Sequence, residues 1–264
     1  FGLANAPHVF QRAVNHALGK LKYSVALIYM DDILIPSLTA EEGISHLRVV
    51  LEALGTAGFL LNIQKCRFLQ PTLEYLGREI SGDGIRPGRS KIEALIESPV
   101  PGNVKQARQL TGLAGYFRKF VPDFARKTVH ITRLTKQDVP FQWNEEKETA
   151  RQYVIKHLTS RPVLAIYNPE LPTVLHTDAS SLGYGAIFMQ ELEGQCRVVS
   201  YSSKRTTQCE SKYHSYESET LAIVQAVKYF RTYLLGVKCV IVTDCNSIKA
   251  TMTKKDLLPR IARW

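Results

Sequence analysis

The sequence has few cysteines and no long hydrophobic run. Its five cysteines are odd in number and form no C-x-x-C pair, which argues against a disulfide framework and against a zinc module. No stretch approaches the roughly 18 to 20 apolar residues that cross a bilayer, so no membrane partner is expected. A reducing, intracellular setting is the simplest interpretation of this cysteine usage.

The amino terminus lacks an initiator methionine, and it lacks the basic and apolar regions of a signal peptide. The chain is therefore expected to begin inside a larger protein. Its 264 residues, 45% of them hydrophobic, suggest about two globular domains at roughly 100 to 200 residues per domain. No internal repeat is present.

Turn-rich clusters divide the sequence into three pieces. Residues 1–82 alternate helical and strand-like patterns and close with a turn cluster at 81–84. The pattern of residues 83–160 predicts a helical, basic segment, in which Asn103 is a good helix N-cap. Residues 161–264 form the third piece, so the sequence predicts domain boundaries near residues 82 and 160.

The third piece has a strand-rich pattern interrupted by one long helix. Short β-branched and aromatic runs predict strands at 173–177, 183–189 and 197–202. A helix is predicted over 213–235, ended by Gly236. The apolar run 238–243 then predicts a buried strand, which should join the sheet in parallel because it follows a helical crossover.

Positive charge is concentrated in one segment. The chain has 34 Lys and Arg against 24 Asp and Glu, and residues 100–136 alone carry eight basic residues against one acid. Aromatic residues interrupt this segment, a composition that suits binding of a phosphate backbone. A solvated helical face above an aromatic core is the alternative. The candidate phosphate contacts are Lys105, Arg108, Arg118 and Lys119.

The first candidate site is a pair of adjacent aspartates between two apolar runs, 25–28 and 33–35. Turns favour aspartate but seldom hold two side by side, because like charges repel. Carboxylates at a hairpin tip suit Mg²⁺, which binds carboxylates together with substrate phosphates. A structural turn is the alternative. The segment is Tyr29-Met30-Asp31-Asp32.

This segment resembles the catalytic YxDD box of reverse transcriptases. Upstream residues resemble the FGLxNAPxxFQ box of gypsy-like LTR retrotransposon Pol polyproteins, which helps to place template and incoming nucleotide. The resemblance implies a partial palm, with Asp31 and Asp32 as catalytic metal ligands. It implies substrate contacts at Phe1, Gly2, Asn5, Pro7, Gln11, Tyr29 and Met30.

Two further segments resemble parts of the same palm. Residues 61–68 resemble the segment whose lysine lies near the triphosphate, which implies that role for Lys65, although a surface lysine is the alternative. A hairpin resembling the one that grips the primer end is formed by Tyr75, Leu76 and Gly77. One feature departs from the family: residues 1–30 contain no Asp or Glu, so the upstream strand that supplies a third carboxylate is absent.

The second candidate site combines two strand-end aspartates with a helical glutamate. Asp178 and Asp244 end the first and last predicted strands of the third piece, and neighbouring strands would bring them to one sheet end. Glu219 is expected on the sheet-facing stripe of the helix, whereas Glu217 should face solvent. That stripe is predicted to contain Ile223, Ala226, Val227, Phe230 and Leu234.

Bringing three carboxylates close together costs free energy, because their negative charges repel one another unless a cation neutralises them. The pattern therefore predicts a Mg²⁺ site, with Mn²⁺ as a substitute, although any one of these acids alone could simply cap a turn. The segments around Asp178, Glu219 and Asp244 resemble the ribonuclease H domain of the same elements, which implies that all three are catalytic. Asp256 is too close to Asp244 to be the fourth aspartate of that family, and it is expected on a surface turn.

The patterns predict a fold class of α+β and α/β. The resemblance implies that these elements form a partial reverse-transcriptase palm, a helical thumb or connection, and a C-terminally truncated ribonuclease H-like mixed sheet. The resemblance implies RNA template, DNA primer, RNA–DNA hybrid and deoxynucleoside triphosphates as partners, and a cytoplasmic location within virus-like particles. One alternative is an inactive or domesticated remnant that only binds nucleic acid. Another is a structural scaffold, which would have no metal dependence.

Overall fold

The structure, a computed structural model, describes residues 3–251 and 259–264. The chain divides into two compact units, Phe1–Pro71 and Thr72–Trp264. The three domains proposed from the sequence, with boundaries near residues 82 and 160, stay a prediction.

The first unit packs two helices against a short hairpin. Helix α1 spans Ala6–Leu18, strands β1 and β2 span Leu27–Tyr29 and Asp32–Leu34, and helix α2 spans Ala40–Thr56. The side chain of Thr39 caps α2 by accepting a hydrogen bond of 3.2 Å from the backbone N–H of Glu42. The hairpin is held on the helices by a core of Val14, Leu18, Ala26, Val50 and Leu54.

The second unit begins with a small antiparallel sheet followed by helices. Strands β3, β4 and β5 span Thr72–Tyr75, Arg78–Ser81 and Gly84–Pro87 and pair in that order. Asn103 caps the helix that follows it, as predicted, and accepts a hydrogen bond of 2.9 Å from the backbone N–H of Gln106. The helices are α3 Arg89–Ile96, α4 Val104–Tyr116, α5 Phe124–Lys127, α6 Val129–Arg133 and α7 Glu145–Thr159.

A four-stranded mixed sheet dominates the rest of this unit. Strands β6, β7 and β8 span Thr173–Ser180, Gly183–Leu192 and Gln195–Arg205, and each is longer than predicted. Strand β9 spans Cys239–Val242 and pairs with β6 in parallel, which confirms the predicted crossover. The prediction that this strand is buried is wrong, because Val240, Ile241 and Val242 are exposed on a strand that, among the described residues, has a neighbour on one side only. The strand order is β8-β7-β6-β9.

The single long helix predicted over 213–235 is wrong in one respect. The structure has two helices, α8 Ser215–Tyr229 and α9 Arg231–Leu234, which meet at Phe230. Phe230 leaves the helical conformation (ψ 15°) where its buried ring stacks on that of Phe188 at 5.0 Å. Gly236 follows with a φ of +79°, the left-handed conformation expected of a residue that ends a helix.

Helices cover both faces of the mixed sheet. On one face α8 and α9 pack on a core that includes Leu175, Phe188 and Ala226. On the other face the larger helical core reaches Val198 and Tyr201 of β8. The remaining helices are α10 Asn246–Thr251 and α11 Pro259–Arg263. Within residues 3–251 and 259–264, no helix combines the length and the apolar character needed to cross a bilayer.

Candidate metal centre and acidic hairpin

Three acidic side chains meet at one edge of the mixed sheet. Asp178, Glu219 and Asp244 each offer a carboxylate oxygen, and these oxygens lie within 4.8 Å of one another. The parallel register of β6 and β9 brings the ends of both strands to the same edge, where Asp178 and Asp244 stand. The early turns of α8 then place Glu219 above them.

The three acids differ in exposure. Glu219 is only 5% exposed, whereas Asp178 and Asp244 are exposed to solvent. One carboxylate oxygen of Glu219 accepts a hydrogen bond of 3.3 Å from the backbone N–H of Ala179, and the other is buried without a hydrogen-bond partner. Burial, reinforced by the negative charges of Asp244 and Asp178, raises the pKa of Glu219 to about 7.

The donor set fits a divalent cation. Acidic clusters are common on protein surfaces, but here one oxygen of Glu219 is buried and lacks a partner, which is costly unless a cation or a donor approaches it. All the available donors are carboxylate oxygens, the ligands preferred by Mg²⁺ and Mn²⁺. Asp178, Glu219 and Asp244 are therefore the side chains that would hold such an ion.

The helix face that carries Glu219 differs in detail from the predicted one. The buried stripe runs from Glu219 through Ala222 and Ala226 to Phe230, whereas Val227 is 38% exposed. Val227 lies about 80° around the helix from Glu219, at the margin of the stripe.

The expectation that Glu217 faces solvent is wrong. Glu217 pairs with Arg260 of α11 at 2.8 Å, and its side chain is only 16% exposed. The pairing joins residues 43 positions apart, so local helix periodicity gave no signal for it.

The acidic hairpin forms where the sequence predicts one. Tyr29 of β1 pairs with Asp32 of β2, and the turn contains Asp31 and Met30, whose φ is +54°. Both aspartates are exposed. The side-chain oxygen of Gln11 accepts a hydrogen bond from the backbone N–H of Met30, so α1 and the hairpin turn are directly linked.

The hairpin pair has no third acidic partner in the part of the chain that the structure describes. There, no group of three acidic, His or Cys side chains close enough to share a metal ion contains Asp31 or Asp32. Asn5 occupies the N-cap position of α1 and Pro7 lies in its first turn, both exposed. Phe1, Gly2 and Asp256 lie outside the described residues.

The remaining predicted palm residues lie in two turns. Lys65 is exposed at the end of a short 3₁₀ helix, Ile63–Lys65. Tyr75, Leu76 and Gly77 form the end of β3 and its turn into β4, where Leu76 has a φ of +50° and Gly77 a φ of +65°. The hydroxyl of Tyr116 on α4 donates a hydrogen bond to the backbone oxygen of Leu76.

The four basic candidates do not form one uniform exposed stripe. Lys105 is exposed, whereas the guanidinium of Arg108 donates to the backbone oxygen of Thr135 at 3.1 Å. Arg118 donates to the backbone oxygen of Ser203 at 2.5 Å. Burial, with the nearby charge of Arg78, lowers the pKa of Lys119 to about 8.

Comparison with known families finds a match for each of the two segments that contain an acidic site. Residues 1–80 match the family described as reverse transcriptase (RNA-dependent DNA polymerase), and residues 168–264 match the RNase H-like domain found in reverse transcriptase. The chain therefore contains a reverse-transcriptase segment and an RNase H-like domain of the kind found in reverse transcriptases, and the predicted fold class is confirmed.

Within that class, the chain is similar over its whole length to retrotransposon Pol polyproteins. It is 34% identical to the Retrovirus-related Pol polyprotein from transposon 297 of Drosophila melanogaster, covering 100% of this chain and 25% of that protein. It is 32% identical to the Transposon Tf2-3 polyprotein of Schizosaccharomyces pombe, covering 100% of this chain and 20% of that protein. The resemblance to Pol polyproteins is confirmed, and the chain spans about a quarter or less of these relatives.

Solved structures share the fold. A foamy viral protease-reverse transcriptase in complex with double-stranded DNA superposes with a TM-score of 0.87 at 21% identity, covering 100% of this chain and 47% of that one. A second structure of the foamy viral enzyme, with an RNA/DNA hybrid, gives a TM-score of 0.82 at 21% identity and covers 100% of this chain and 36% of that one.

Proposed function

We propose that this chain contributes RNA-directed DNA polymerase and ribonuclease H activities to a retrotransposon Pol protein. It would help to copy RNA into DNA and to degrade the RNA strand of the hybrid, in both cases by two-metal phosphoryl transfer. The convergence of Asp178, Glu219 and Asp244 within 4.8 Å carries this proposal. Mg²⁺ is the proposed cofactor, with Mn²⁺ as a substitute.

In the nuclease half, each acid has a distinct part. Asp178 and Asp244 are exposed, so their carboxylates are accessible to metal ions and to a nucleic acid. Glu219 accepts a hydrogen bond from the N–H of Ala179 through one carboxylate oxygen, and its other oxygen is buried without a partner. Bound divalent ions supply the Lewis acidity and the activated water that phosphodiester hydrolysis needs.

In the polymerase half, Asp31 and Asp32 are the proposed metal ligands. The hydrogen bond from Met30 to Gln11 holds the turn that presents them. Because the described residues supply no third ligand, the remaining carboxylate is assigned to a strand outside this sequence. The primer, template and triphosphate contacts are assigned to Phe1, Gly2, Asn5, Pro7, Gln11, Tyr29, Met30, Lys65, Tyr75, Leu76 and Gly77.

The proposed nucleic-acid partners are an RNA template, a DNA primer and their hybrid, held in part by the basic segment 100–136. Support comes from its charge and from the foamy viral relatives, whose structures contain double-stranded DNA and an RNA/DNA hybrid. A location in virus-like particles is part of this proposal.

The nuclease assignment is tested by comparing two glutamates on one helix. Glu219→Gln removes the buried carboxylate of the cluster, whereas Glu217→Gln removes one that is paired with Arg260 outside it. Calorimetric binding of Mn²⁺ and cleavage of a labelled RNA–DNA hybrid are measured for both. Glu219→Gln is expected to weaken metal binding by more than the roughly 10- to 100-fold that loss of an outer-shell partner costs, and Glu217→Gln should resemble wild type.

Other outcomes separate the alternatives. If Glu217→Gln abolishes binding and Glu219→Gln does not, the ligand assignment is wrong. If the metal and the hybrid bind but the hybrid is never cleaved, the chain is the nucleic-acid-binding remnant. A protein that binds neither ligand is the structural scaffold.

A further inference from the structure

A cavity lies inside the larger helical core. Its volume is about 40 Å³, and ten residues of the segment from α3 to α7 line it. Most of its wall is apolar and includes Leu95, Leu110 and Val154, each at most 6% exposed. Protein interiors are normally packed so closely that few voids exceed the size of a water molecule. Space of this size in a helical core is therefore available for an occupant.

The cavity has room for a small organic molecule. A single water needs roughly 10 to 15 Å³, so about three or four groups of that size fit. Thr111, Phe124 and Thr132 line the cavity and are partly exposed, so a ligand can reach it from solvent beside them. An ordered water needs two to four polar partners, which a mostly apolar wall supplies poorly. The space is better suited to a molecule with an apolar body.

The threonine hydroxyls of the wall are already used as donors. Each one donates a hydrogen bond of 2.7 to 2.9 Å to a backbone oxygen four residues earlier. The pairs are Thr111 with Ala107, Thr128 with Phe124, and Thr132 with Thr128. These hydroxyls are therefore turned back to the backbone, and they leave no spare proton for a ligand.

One charged side chain in the wall has a donor left over. Arg151 of α7 lines the cavity and is only 8% exposed. One of its terminal nitrogens donates to the carboxylate of Glu148 at 3.0 Å, and the other donates to the backbone oxygen of Ser98 at 2.6 Å. Its Nε is buried and has no hydrogen-bond partner among the residues that the structure describes. An unused donor on a buried charged group is costly, so this wall lacks an acceptor.

The missing acceptor should be neutral. The charge of Arg151 is already balanced by Glu148, whose carboxylate forms an ion pair with it at 3.0 Å. An anionic ligand would therefore leave an unbalanced negative charge in an apolar cavity, which is unfavourable. A carbonyl oxygen accepts a hydrogen bond without adding a charge. Alkyl groups on either side of that carbonyl would match the rest of the wall.

We propose that this cavity binds a small neutral carbonyl compound of the ketone class. Its oxygen accepts a hydrogen bond from the Nε of Arg151, and its alkyl groups pack against Leu95, Leu110 and Val154. Ligand sites of this kind combine an apolar wall with a few fixed polar groups. The site is separate from the proposed polymerase and nuclease activities and does not depend on them.

The test uses acetone as the probe and the full 264-residue chain. Acetone is titrated while the methyl resonances of Leu95, Leu110 and Val154 are followed by nuclear magnetic resonance. Their chemical shifts are expected to change with acetone concentration and to reach a plateau. Acetone should also raise the urea midpoint of unfolding, because it binds the folded chain and not the unfolded one.

Two variants separate the space from the donor. Ala114→Leu fills the cavity from α4 and is expected to abolish the plateau, whereas Ala94→Leu, on the exposed side of α3, should bind acetone like wild type. Arg151→Lys keeps a positive charge near Glu148 but has no Nε. It is expected to weaken acetone binding by roughly 10- to 100-fold, the value of a hydrogen bond to a charged group.

Urea unfolding first shows which variants are folded, and Ala114→Val replaces Ala114→Leu if the larger side chain prevents folding. Wild-type shifts that never reach a plateau would mean that the cavity holds water only, and the proposal would be overturned. Unchanged affinity in the cavity-filling variant would place acetone elsewhere, and unchanged affinity in Arg151→Lys would remove the proposed hydrogen bond; either result overturns it. Hybrid cleavage is measured separately, so these outcomes do not bear on the proposed function.

Discussion

The backbone N–H of Ala125 donates a hydrogen bond of 2.9 Å to the hydroxyl of Ser203 on β8. The backbone oxygen of Ser203 in turn accepts a hydrogen bond of 2.5 Å from the guanidinium of Arg118. One strand residue thus receives two contacts from the basic segment, across 78 and 85 positions of sequence. Part of that segment is a structural support of the mixed sheet.

Ser203→Ala is expected to destabilise the protein. Ser203 is 5% exposed, so its replacement leaves the N–H of Ala125 without its acceptor in a largely buried place, at a cost of about 1 to 3 kcal/mol. Urea unfolding measures the change, and Ser202→Ala on the same strand serves as the control. Equal unfolding midpoints for the two variants would contradict this role.

Arg118 and Lys105 are expected to have separable roles. Arg118→Gln should lower the free energy of unfolding, because it removes the charged donor to Ser203. Lys105→Gln removes an exposed charge and should leave stability within about 0.5 kcal/mol, while it lowers the salt dependence of hybrid binding. Denaturant unfolding and binding titrations on both variants check this, and the reverse pattern would show that the assignment is inverted.

The metal-free protein is expected to lose stability as the pH rises from about 4.5 to about 7. The pKa of Glu219 is raised from 4.5 to about 7 in the folded chain, so in this range the folded state binds more protons than the unfolded state. The stabilising contribution of Glu219 to the free energy of unfolding is fully present below pH 4.5 and is lost above pH 7. The unfolding midpoints of wild type and Glu219→Gln are measured in the presence of a chelator. The difference between them, wild type minus variant, should fall over this pH range.

Glu217→Gln is the control for that pH dependence, since its carboxylate lies in an ion pair with Arg260. It should retain the wild-type fall between the two pH values. Added Mg²⁺ is expected to stabilise wild type most at pH 7 and above, where Glu219 is ionised. A wild-type curve that matches Glu219→Gln throughout would rule out the proposed cause.

Primer extension by the 264-residue chain is expected to be undetectable. In the described residues Asp31 and Asp32 have no third acidic partner, and a two-metal site needs ligands for both ions. Hybrid binding should persist, because the basic segment is present. A longer Pol segment that includes an upstream acidic strand should restore extension, and Asp31→Asn should then abolish it; extension by the short chain would refute the missing-ligand argument.

Local patterns in the sequence predicted the features that depend on local physics. The alternation and apolar character of the runs before Asp178 and Asp244 indicated strands, and the crossover rule then gave the parallel pairing that brings their ends together. The cap of α4 by Asn103 followed from side-chain chemistry alone.

Features that depend on distant partners were missed. The ion pair of Glu217 with Arg260 and the bond of Arg118 to Ser203 link residues far apart in sequence, and no periodicity signals such a contact. The interruption of the helix at Phe230 coincides with the stacking of its ring on that of Phe188, a contact that exists only once the sheet has folded. Charge counting alone could not separate the exposed Lys105 from the engaged Arg118.

Strand β9 lies at one side of the mixed sheet, and its outer side pairs with no other strand among residues 3–251 and 259–264. Three successive residues there are exposed and apolar: Val240, Ile241 and Val242. Open strands of this kind recruit further strands through their free N–H and C=O groups. At high concentration, copies of this chain are therefore expected to pair side by side through β9, and the light scattering of the solution should rise with protein concentration.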